Sequence, residues 1–191
     1  MKIEVEDKES NSHSNRLAVI LIDVQESLLA GLKNKNELLD ALNILIQSTN
    51  FFNLPLFVTE QVPNKLGPTA QSLVAELSNI QSIAKSSFSI FGCAEIREKL
   101  FNKKISHLIL AGIETPICIY LSAIDALKSG LEVTILSDCI GARRTDDESI
   151  VLSKLQHAGC HILPLESFLY GYMGSAEHPS FREISKLIRN R

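Results

Sequence analysis

Asp23, Lys85 and Cys118 have side chains of the types that a nucleophilic reaction at a cysteine requires. A thiol becomes nucleophilic when a base takes its proton, and a nearby cation stabilises the anions that result. A carboxylate, an ammonium group and a thiol can supply these functions. Taken singly, each residue also has a structural interpretation: Asp23 as a turn residue, Lys85 as a solvated lysine and Cys118 as core packing.

Cys118 lies in the segment AGIETPICIY, which predicts a strand that runs into a helix. Thr115 is the predicted N-cap, Pro116 the first helical residue and Cys118 the third. At that position a thiol faces free backbone N–H groups and the positive end of the helix dipole. We therefore expect the pKa of Cys118 to lie below the usual value of about 8.5.

Predicted strands and helices alternate along the chain. The apolar run LAVILI is typical of a strand buried on both faces of a parallel sheet. The alternation predicts a three-layer α/β/α fold, Rossmann-like, with an open and mostly parallel six-stranded sheet and right-handed crossovers. The predicted strands are 17–22, 55–59, 80–84, 107–111, 132–136 and 161–163, with a turn at 138–141. The predicted helices are 36–52, 71–77, 95–101, 116–128, 144–157, 166–170 and 181–188.

The three candidate residues follow the first, third and fourth of these strands. In an open α/β sheet the ligand crevice lies at the carboxyl ends of the strands. We therefore expect Asp23, Lys85 and Cys118 to meet there, at three adjacent strand ends.

Length and composition limit the other functions that the chain could have. Its 191 residues suit one domain, which we place at 16–191 after a flexible polar tail at 1–15. A formal net charge of −3 disfavours nucleic-acid and membrane-surface binding. The four cysteines form no metal or disulfide pattern, and the tail has no apolar signal core, so we expect a cytoplasmic protein without a membrane helix.

Three motifs resemble the isochorismatase-like cysteine hydrolases, a superfamily that includes nicotinamidases, N-carbamoyl amidases and isochorismatases. They are IDVQ (22–25), KSSFSIF (85–91) and GIETPIC (112–118), the last followed by Ala123, Asp125 and Ala126. The resemblance runs from Leu17 to the C-terminus and keeps the order of the motifs. Three further segments are most similar to the short isochorismatase domain-containing proteins: TEQVPNKLGPT (59–69), SDCIGAR (137–143) and HPSFREISKLI (178–188).

The resemblance implies a role for each candidate residue. Cys118 would be the nucleophile, Asp23 the acceptor of its proton and Lys85 the cation paired to both. It also implies a cis peptide bond between Ile113 and Glu114, which brings the backbone N–H of Glu114 beside that of Cys118 as an oxyanion hole.

The resemblance also implies the surroundings of the site. Gln25 and Phe91 would line the substrate pocket, and the protein would be a homo-oligomer, with a dimer as the default on symmetry grounds. Nicotinamidases carry an Asp-x-His metal motif after the second strand, whereas this chain has Thr59, Glu60 and Gln61 there. We therefore predict no metal and no cofactor, and nicotinamide is disfavoured as a substrate.

Together these residues predict a cofactor-free cysteine hydrolase that cleaves a small amide or related C–N bond through a thioester on Cys118. Two alternatives remain open: a non-catalytic binding or scaffold protein that retains the fold, and an isochorismatase-type ether or ester hydrolase. Substrate specificity is expected to depend on the loops at 62–68 and 141–145. The remaining cysteines are interpreted as packing residues: Cys93 in a loop, Cys139 in a turn and Cys160 at the start of a strand.

Overall fold

The computed structural model describes residues 16–77, 80–189 and 191, so the predicted tail at 1–15 lies outside the described residues. The described strands form one six-stranded sheet in the order β3-β2-β1-β4-β5-β6, and every neighbouring pair is parallel. The strands are β1 (Leu17–Ile22), β2 (Leu56–Gln61), β3 (Ser82–Lys85), β4 (His107–Ile113), β5 (Glu132–Gly141) and β6 (His161–Leu163).

The strand β1 lies at the centre of the sheet and contributes to the core on both faces. Side chains alternate between the faces of a strand, so Val19 and Leu21 pack in one core while Ala18, Ile20 and Ile22 pack in the other. All five of these side chains are fully buried, as expected for an inner strand of a parallel sheet.

Helices cover both faces of the sheet, and the predicted three-layer α/β/α fold is confirmed. Residues of α1, α2, α4, α8 and α9 contribute to one core, and residues of α5, α6 and α7 contribute to the other. The helices are α1 (Glu26–Leu29), α2 (Lys35–Phe52), α3 (Pro63–Leu66), α4 (Gln71–Val74), α5 (Ala94–Asn102), α6 (Tyr120–Lys128), α7 (Thr145–His157), α8 (Leu165–Met173) and α9 (Phe181–Arg189). A 3₁₀ turn at Ile90–Gly92 precedes α5, and a π-helical turn at Thr115–Ile119 precedes α6.

The predicted turn at 138–141 is wrong, and Cys139 lies within the strand β5. Leu110 of β4 pairs with Ile135, whereas Gly112 pairs with Ile140, so β5 carries extra residues opposite a short piece of β4. Such a bulge lets a strand continue through polar residues that would otherwise suggest a turn.

The prediction that the three strand ends are adjacent is confirmed for β1 and β4, which pair directly, and is wrong for β3. The strand β2 lies between β1, which leads to Asp23, and β3, which ends at Lys85. The residues at the end of β2 therefore lie between two members of the candidate site.

Candidate active site

Asp23 and Lys85 form a buried ion pair at the carboxyl end of the sheet. Asp23 directly follows β1, and Lys85 is the last residue of β3 rather than a residue beyond it. The Lys85 Nζ lies 2.6 Å from Asp23 Oδ2, and neither side chain is exposed to solvent. A buried carboxylate requires such a partner, because an unpaired charge is costly in a dry interior.

The end of β4 approaches the end of β1 closely enough to bring the Cys118 segment beside this pair. Gly112 has φ +117°, and a Cβ atom there would clash with the backbone oxygen of Ile22. Only glycine allows this approach.

Cys118 lies in the π-helical turn between β4 and α6. The turn begins at Thr115, one residue earlier than predicted, and Glu114 rather than Thr115 occupies the N-cap position. The Thr115 hydroxyl does not cap the helix but donates a hydrogen bond to Glu148 Oε2 at 2.8 Å. The Cys118 residue is 6% exposed, and its Sγ lies 4.0 Å from Lys85 Nζ.

The expectation of a lowered pKa for Cys118 is wrong. Burial, followed by the negative charge of Asp23, raises the pKa of the Cys118 thiol to about 12, against a smaller lowering by Lys85. The thiol also donates a hydrogen bond to Asp23, which raises the pKa further. The Lys85 ammonium and the Glu114 backbone lower the pKa of the thiol, but the loss of water around the sulfur outweighs them. The resting group is therefore a neutral thiol whose proton stays on the sulfur and is directed to the Asp23 carboxylate.

The backbone of Glu114 faces the sulfur. The peptide bond between Ile113 and Glu114 is cis. The N–H of Glu114 forms a hydrogen bond with the Cys118 sulfur that lowers the pKa of the thiol. A backbone donor thus points to the place where the reacting atoms of a substrate would lie.

Two side chains from β2 that the sequence analysis treated only as a departure from the nicotinamidase motif belong to this site. Thr59 Oγ1 donates to Asp23 Oδ1 at 2.7 Å, and Gln61 Oε1 accepts from Lys85 Nζ at 2.6 Å. Both residues are buried. The signal available in the sequence was the polar second half of β2, where Thr59, Glu60 and Gln61, all buried, follow an apolar first half.

Two cavities flank the three residues. One, which we call the rim cavity, has a volume of about 370 Å³. Its lining residues are Glu114, Pro116, Ile117, Arg143, Arg144 and Asp147. The other, the Lys85 cavity, also has a volume of about 370 Å³ and includes residues 62–64. Both predicted specificity loops therefore contribute to cavities beside the site.

An ion pair fixes part of the rim cavity. Arg143 Nε lies 2.7 Å from Glu114 Oε1, and the Glu114 side chain is only 8% exposed. The stem of Arg143 lies where a Cβ of Gly31 would be, at 2.7 Å, so the absence of a side chain at Gly31 makes room for it. Arg144 has no ion-pair partner among the described residues, and it is exposed.

The two predicted pocket residues have different environments. Gln25 is fully buried, and its side chain bonds the backbone of Gln61 in both directions as well as the Gly67 carbonyl. Phe91 is half-buried beside the core that contains Cys118. A role for either residue in binding substrate stays a prediction.

The other cysteines lie apart from this arrangement. Cys139 and Cys160 are buried, Cys93 is half-buried, and burial raises the pKa of Cys139 and Cys160. All four cysteines of the chain are described, and none forms a disulfide.

The described part of the chain contains neither a cluster of metal ligands nor a helix that could span a membrane. Within residues 16–77, 80–189 and 191, no three His, Cys, Asp or Glu side chains group together as metal ligands. The absence of a metal stays a prediction. The helices of these residues include none with the length and apolar character needed to span a membrane.

Comparison with known proteins agrees with the sequence motifs. A protein of Danio rerio described as isochorismatase domain-containing protein 2 is 32% identical over 171 residues, covering 89% of this chain and 85% of its own. The structure of the MAR1 ribonuclease of Caenorhabditis elegans is 30% identical with a TM-score of 0.85, covering 92% of this chain and 90% of that one. The YcaC gene product of Escherichia coli, described as an octameric hydrolase of unknown specificity, shares the fold. It has a TM-score of 0.72 and 20% identity, and the match covers 92% of this chain and 95% of that one.

The match to a family extends over most of the molecule. Residues 17–167, which contain Asp23, Lys85 and Cys118, match the isochorismatase domain. The sheet, the site at its carboxyl end and these comparisons agree, and the chain belongs to the isochorismatase domain family of hydrolases.

Proposed function

We propose that this protein is a cofactor-free cysteine hydrolase that cleaves a small amide or related C–N bond through a thioester on Cys118. The observation that carries the proposal is the buried arrangement of three side chains. The Cys118 thiol donates to Asp23, whose carboxylate lies 2.6 Å from the Lys85 ammonium. A nucleophile, a base and a cation in mutual contact are the requirements of covalent acyl transfer.

In the first half of the reaction the thiol adds to the substrate carbonyl. Because the pKa of the Cys118 thiol is about 12, the proton leaves for Asp23 as the sulfur attacks rather than before. The N–H groups of Glu114 and Cys118 stabilise the oxyanion, a contribution of about 10² to 10³ in rate for each donor. Asp23 then gives the proton to the leaving nitrogen, the C–N bond breaks, and an amine departs from the thioester.

In the second half a water molecule hydrolyses the thioester. Asp23 takes a proton from the water as its oxygen attacks, and returns a proton to the sulfur as the C–S bond breaks. General acid–base catalysis of this kind contributes about 10² to 10⁴ in rate. Lys85 keeps one positive charge beside the carboxylate and the sulfur throughout the cycle.

Burial favours a small substrate over a polymer. Asp23, Lys85 and Cys118 are each at most 6% exposed, and the flanking cavities have volumes of about 370 Å³. The C. elegans relative is named a ribonuclease. In this chain the buried thiol and the net charge of −3 favour a small acyl substrate over an RNA strand.

A turnover screen with Cys118→Ala tests the proposal. Small amides, ureides, esters and vinyl ethers are incubated with the wild type, Cys118→Ala and Cys93→Ala, and product release is measured. We expect amide or ureide turnover that falls by at least about 10⁴-fold in Cys118→Ala. Cys93→Ala, which changes a half-buried thiol outside the site, should keep turnover near that of the wild type.

Acid quenching followed by intact mass measurement tests the intermediate. The wild type should show an adduct of the acyl mass, and Cys118→Ala should not. Retained turnover in Cys118→Ala would refute the proposal. Turnover of vinyl ethers or esters alone would favour the isochorismatase-type alternative, and a lack of turnover with every substrate class would favour the scaffold.

We also propose a cytoplasmic homo-oligomer. The location is supported by four unbridged cysteines, as expected in a reducing compartment. The oligomer is supported by the octameric state described for the E. coli YcaC gene product. Light scattering during size-exclusion chromatography would give the mass in solution, and a monomer of 21.1 kDa would contradict this part of the proposal.

A further inference from the structure

The strand β2 places two polar side chains between the members of the acid–base pair. In the sheet Thr59 pairs with Ile22, the residue before Asp23, and Gln61 pairs with Lys85 itself. The register therefore puts a hydroxyl beside the carboxylate and an amide level with the ammonium.

Thr59 restrains the carboxylate of Asp23. Its hydroxyl donates to Oδ1 at 2.7 Å, and its backbone oxygen accepts from the Asp23 N–H at 3.1 Å. Because Lys85 holds Oδ2 at 2.6 Å, each carboxylate oxygen has its own donor. Rotation of the carboxylate would break both bonds, so the direction of the base is fixed.

Gln61 restrains the ammonium of Lys85. Its Oε1 accepts from Nζ at 2.6 Å, while its Nε2 donates to the backbone oxygen of Ser86 at 2.8 Å, so the amide is held at both ends. An ammonium group has three hydrogens. The oxygens of Asp23, Gln61 and the Ser87 backbone, the last at 3.0 Å, are the nearest acceptors, and the Phe88 backbone oxygen lies at 3.3 Å.

The position of the ammonium defines how it acts. With its hydrogens directed to oxygens, Lys85 Nζ remains 4.0 Å from Cys118 Sγ. At that distance it stabilises the thiolate by charge and is not the proton donor in the reaction. This effect depends on Nζ staying where Gln61 holds it.

We infer that Thr59 and Gln61 are positioning residues of this site: Thr59 fixes the carboxylate of Asp23, and Gln61 fixes the ammonium of Lys85 beside the Cys118 sulfur. That this positioning serves catalysis rests on the proposed function. Its physical content is that the two β2 side chains control how readily Cys118 forms a thiolate.

Alkylation of Cys118 by iodoacetamide measures thiolate formation without a substrate. The rate at a given pH follows the thiolate fraction, and peptide mapping by mass spectrometry separates Cys118 from the other cysteines. Gln61→Met removes the acceptor and releases the ammonium, so the rate at pH 9 should fall several-fold. Gln61→Glu adds a negative charge that opposes the thiolate, so the rate should fall further, by about tenfold or more.

Thr59 is tested in the same assay with a matched pair. Thr59→Val has nearly the same shape but loses the hydroxyl that holds the Asp23 carboxylate in place to take the thiol proton, so alkylation should slow about tenfold. Thr59→Ser keeps the hydroxyl and should react within about twofold of the wild type. Gln156→Met and Gln156→Glu, at an exposed position in α7, serve as controls and should leave the rate unchanged.

Whether the alkylation rate of Cys118 rises or falls distinguishes a positioning role of the two residues from a merely structural one. Loosening of a buried site exposes the thiol and speeds alkylation, whereas loss of positioning slows it. Unchanged or faster alkylation in Gln61→Met and Thr59→Val would overturn the inference. Gln61→Glu and Thr59→Ser change side-chain size least, so they remain informative if the other two variants fail to fold. Failure of the proposed function would appear separately, as amide turnover that survives Cys118→Ala.

Discussion

The two sides of the candidate site differ in burial and in pairing. On the acid–base side, the side chains of Asp23 and Lys85 are fully buried, and they form hydrogen bonds with partners from β2 and from the loop after β3. On the other side, the rim cavity contains Arg143, whose side chain is 61% exposed, and an exposed Arg144 without an ion-pair partner among the described residues.

This difference separates two tasks. A buried and fully paired group keeps one geometry, which a proton transfer requires, but it tolerates little change. An exposed charge is screened by water and can move toward a ligand at little cost. We therefore expect substitutions on the acid–base side to affect stability and the chemical step together, and substitutions in the rim cavity to affect substrate binding.

The largest expected effect is that of Lys85→Met. The variant leaves the Asp23 carboxylate buried without its cation, so the free energy of unfolding should fall by about 3 to 5 kcal/mol. Urea denaturation measures the loss. The double variant Asp23→Asn/Lys85→Met should recover much of the stability and still lack turnover, because the buried charge is gone together with the base. If the free energy of unfolding of Lys85→Met fell by less than about 1 kcal/mol, the acid–base side would tolerate substitution as well as the rim cavity does, contrary to this expectation.

A smaller effect is expected for Arg143→Gln in the rim cavity. Arg143 is exposed, but Glu114 is only 8% exposed and loses its cation, so the free energy of unfolding should fall by about 1 to 2 kcal/mol, less than in Lys85→Met. If the rim cavity binds substrate, KM should rise with little change in kcat. Steady-state kinetics with a substrate from the turnover screen measures both. Arg144→Gln, at the adjacent unpaired arginine, is the matched control for stability and should unfold within about 0.5 kcal/mol of the wild type.

Equal changes of kcat for Arg143→Gln and for substitutions at Thr59 would remove the distinction between the two sides. A larger change of KM than of kcat in Arg143→Gln would support the distinction.

The smallest expected effect concerns Glu148 in α7. Its carboxyl accepts a hydrogen bond from the hydroxyl of Thr115, in the turn that carries Cys118. Burial raises the pKa of this carboxyl, and the hydrogen bond from Thr115 only partly offsets the rise. The native state therefore holds a proton to higher pH than the unfolded chain, and this stabilising contribution is present at low pH and lost as pH rises through the native pKa. Glu148→Gln removes the titration, so near pH 8 it should be as stable as the wild type or more stable by up to about 0.5 kcal/mol.

Urea denaturation at several pH values tests this expectation. The difference between Glu148→Gln and the wild type should shrink towards acidic pH, below the ordinary glutamate pKa of about 4.3. Glu166→Gln, at an exposed position in α8, should show no such trend. A variant that grows relatively more stable towards acidic pH would show that Glu148 is held charged, contrary to its burial.

Much of the fold was predictable because local patterns specify it. The run LAVILI forms the central strand that it predicts, and β6 has the predicted bounds. The long strand β5 was harder to predict, because a bulge and a turn use the same polar residues and only pairing with β4 distinguishes them. Helix termini differ from the predictions by a few residues, since local propensity defines an end weakly.

The fold class and the three candidate side chains at strand ends could be predicted without the structure, since hydrophobic periodicity and residue type are local properties of the chain. The position of β2 between Asp23 and Lys85, which brings Thr59 and Gln61 into the site, follows from the order of the strands in the folded sheet. Burial in the fold also raises the pKa of Cys118 where a lowered value was expected, because the loss of water outweighs Lys85 and the Glu114 backbone. Strand order and desolvation depend on residues distant in the sequence, so neither can be calculated from the segment that carries the thiol.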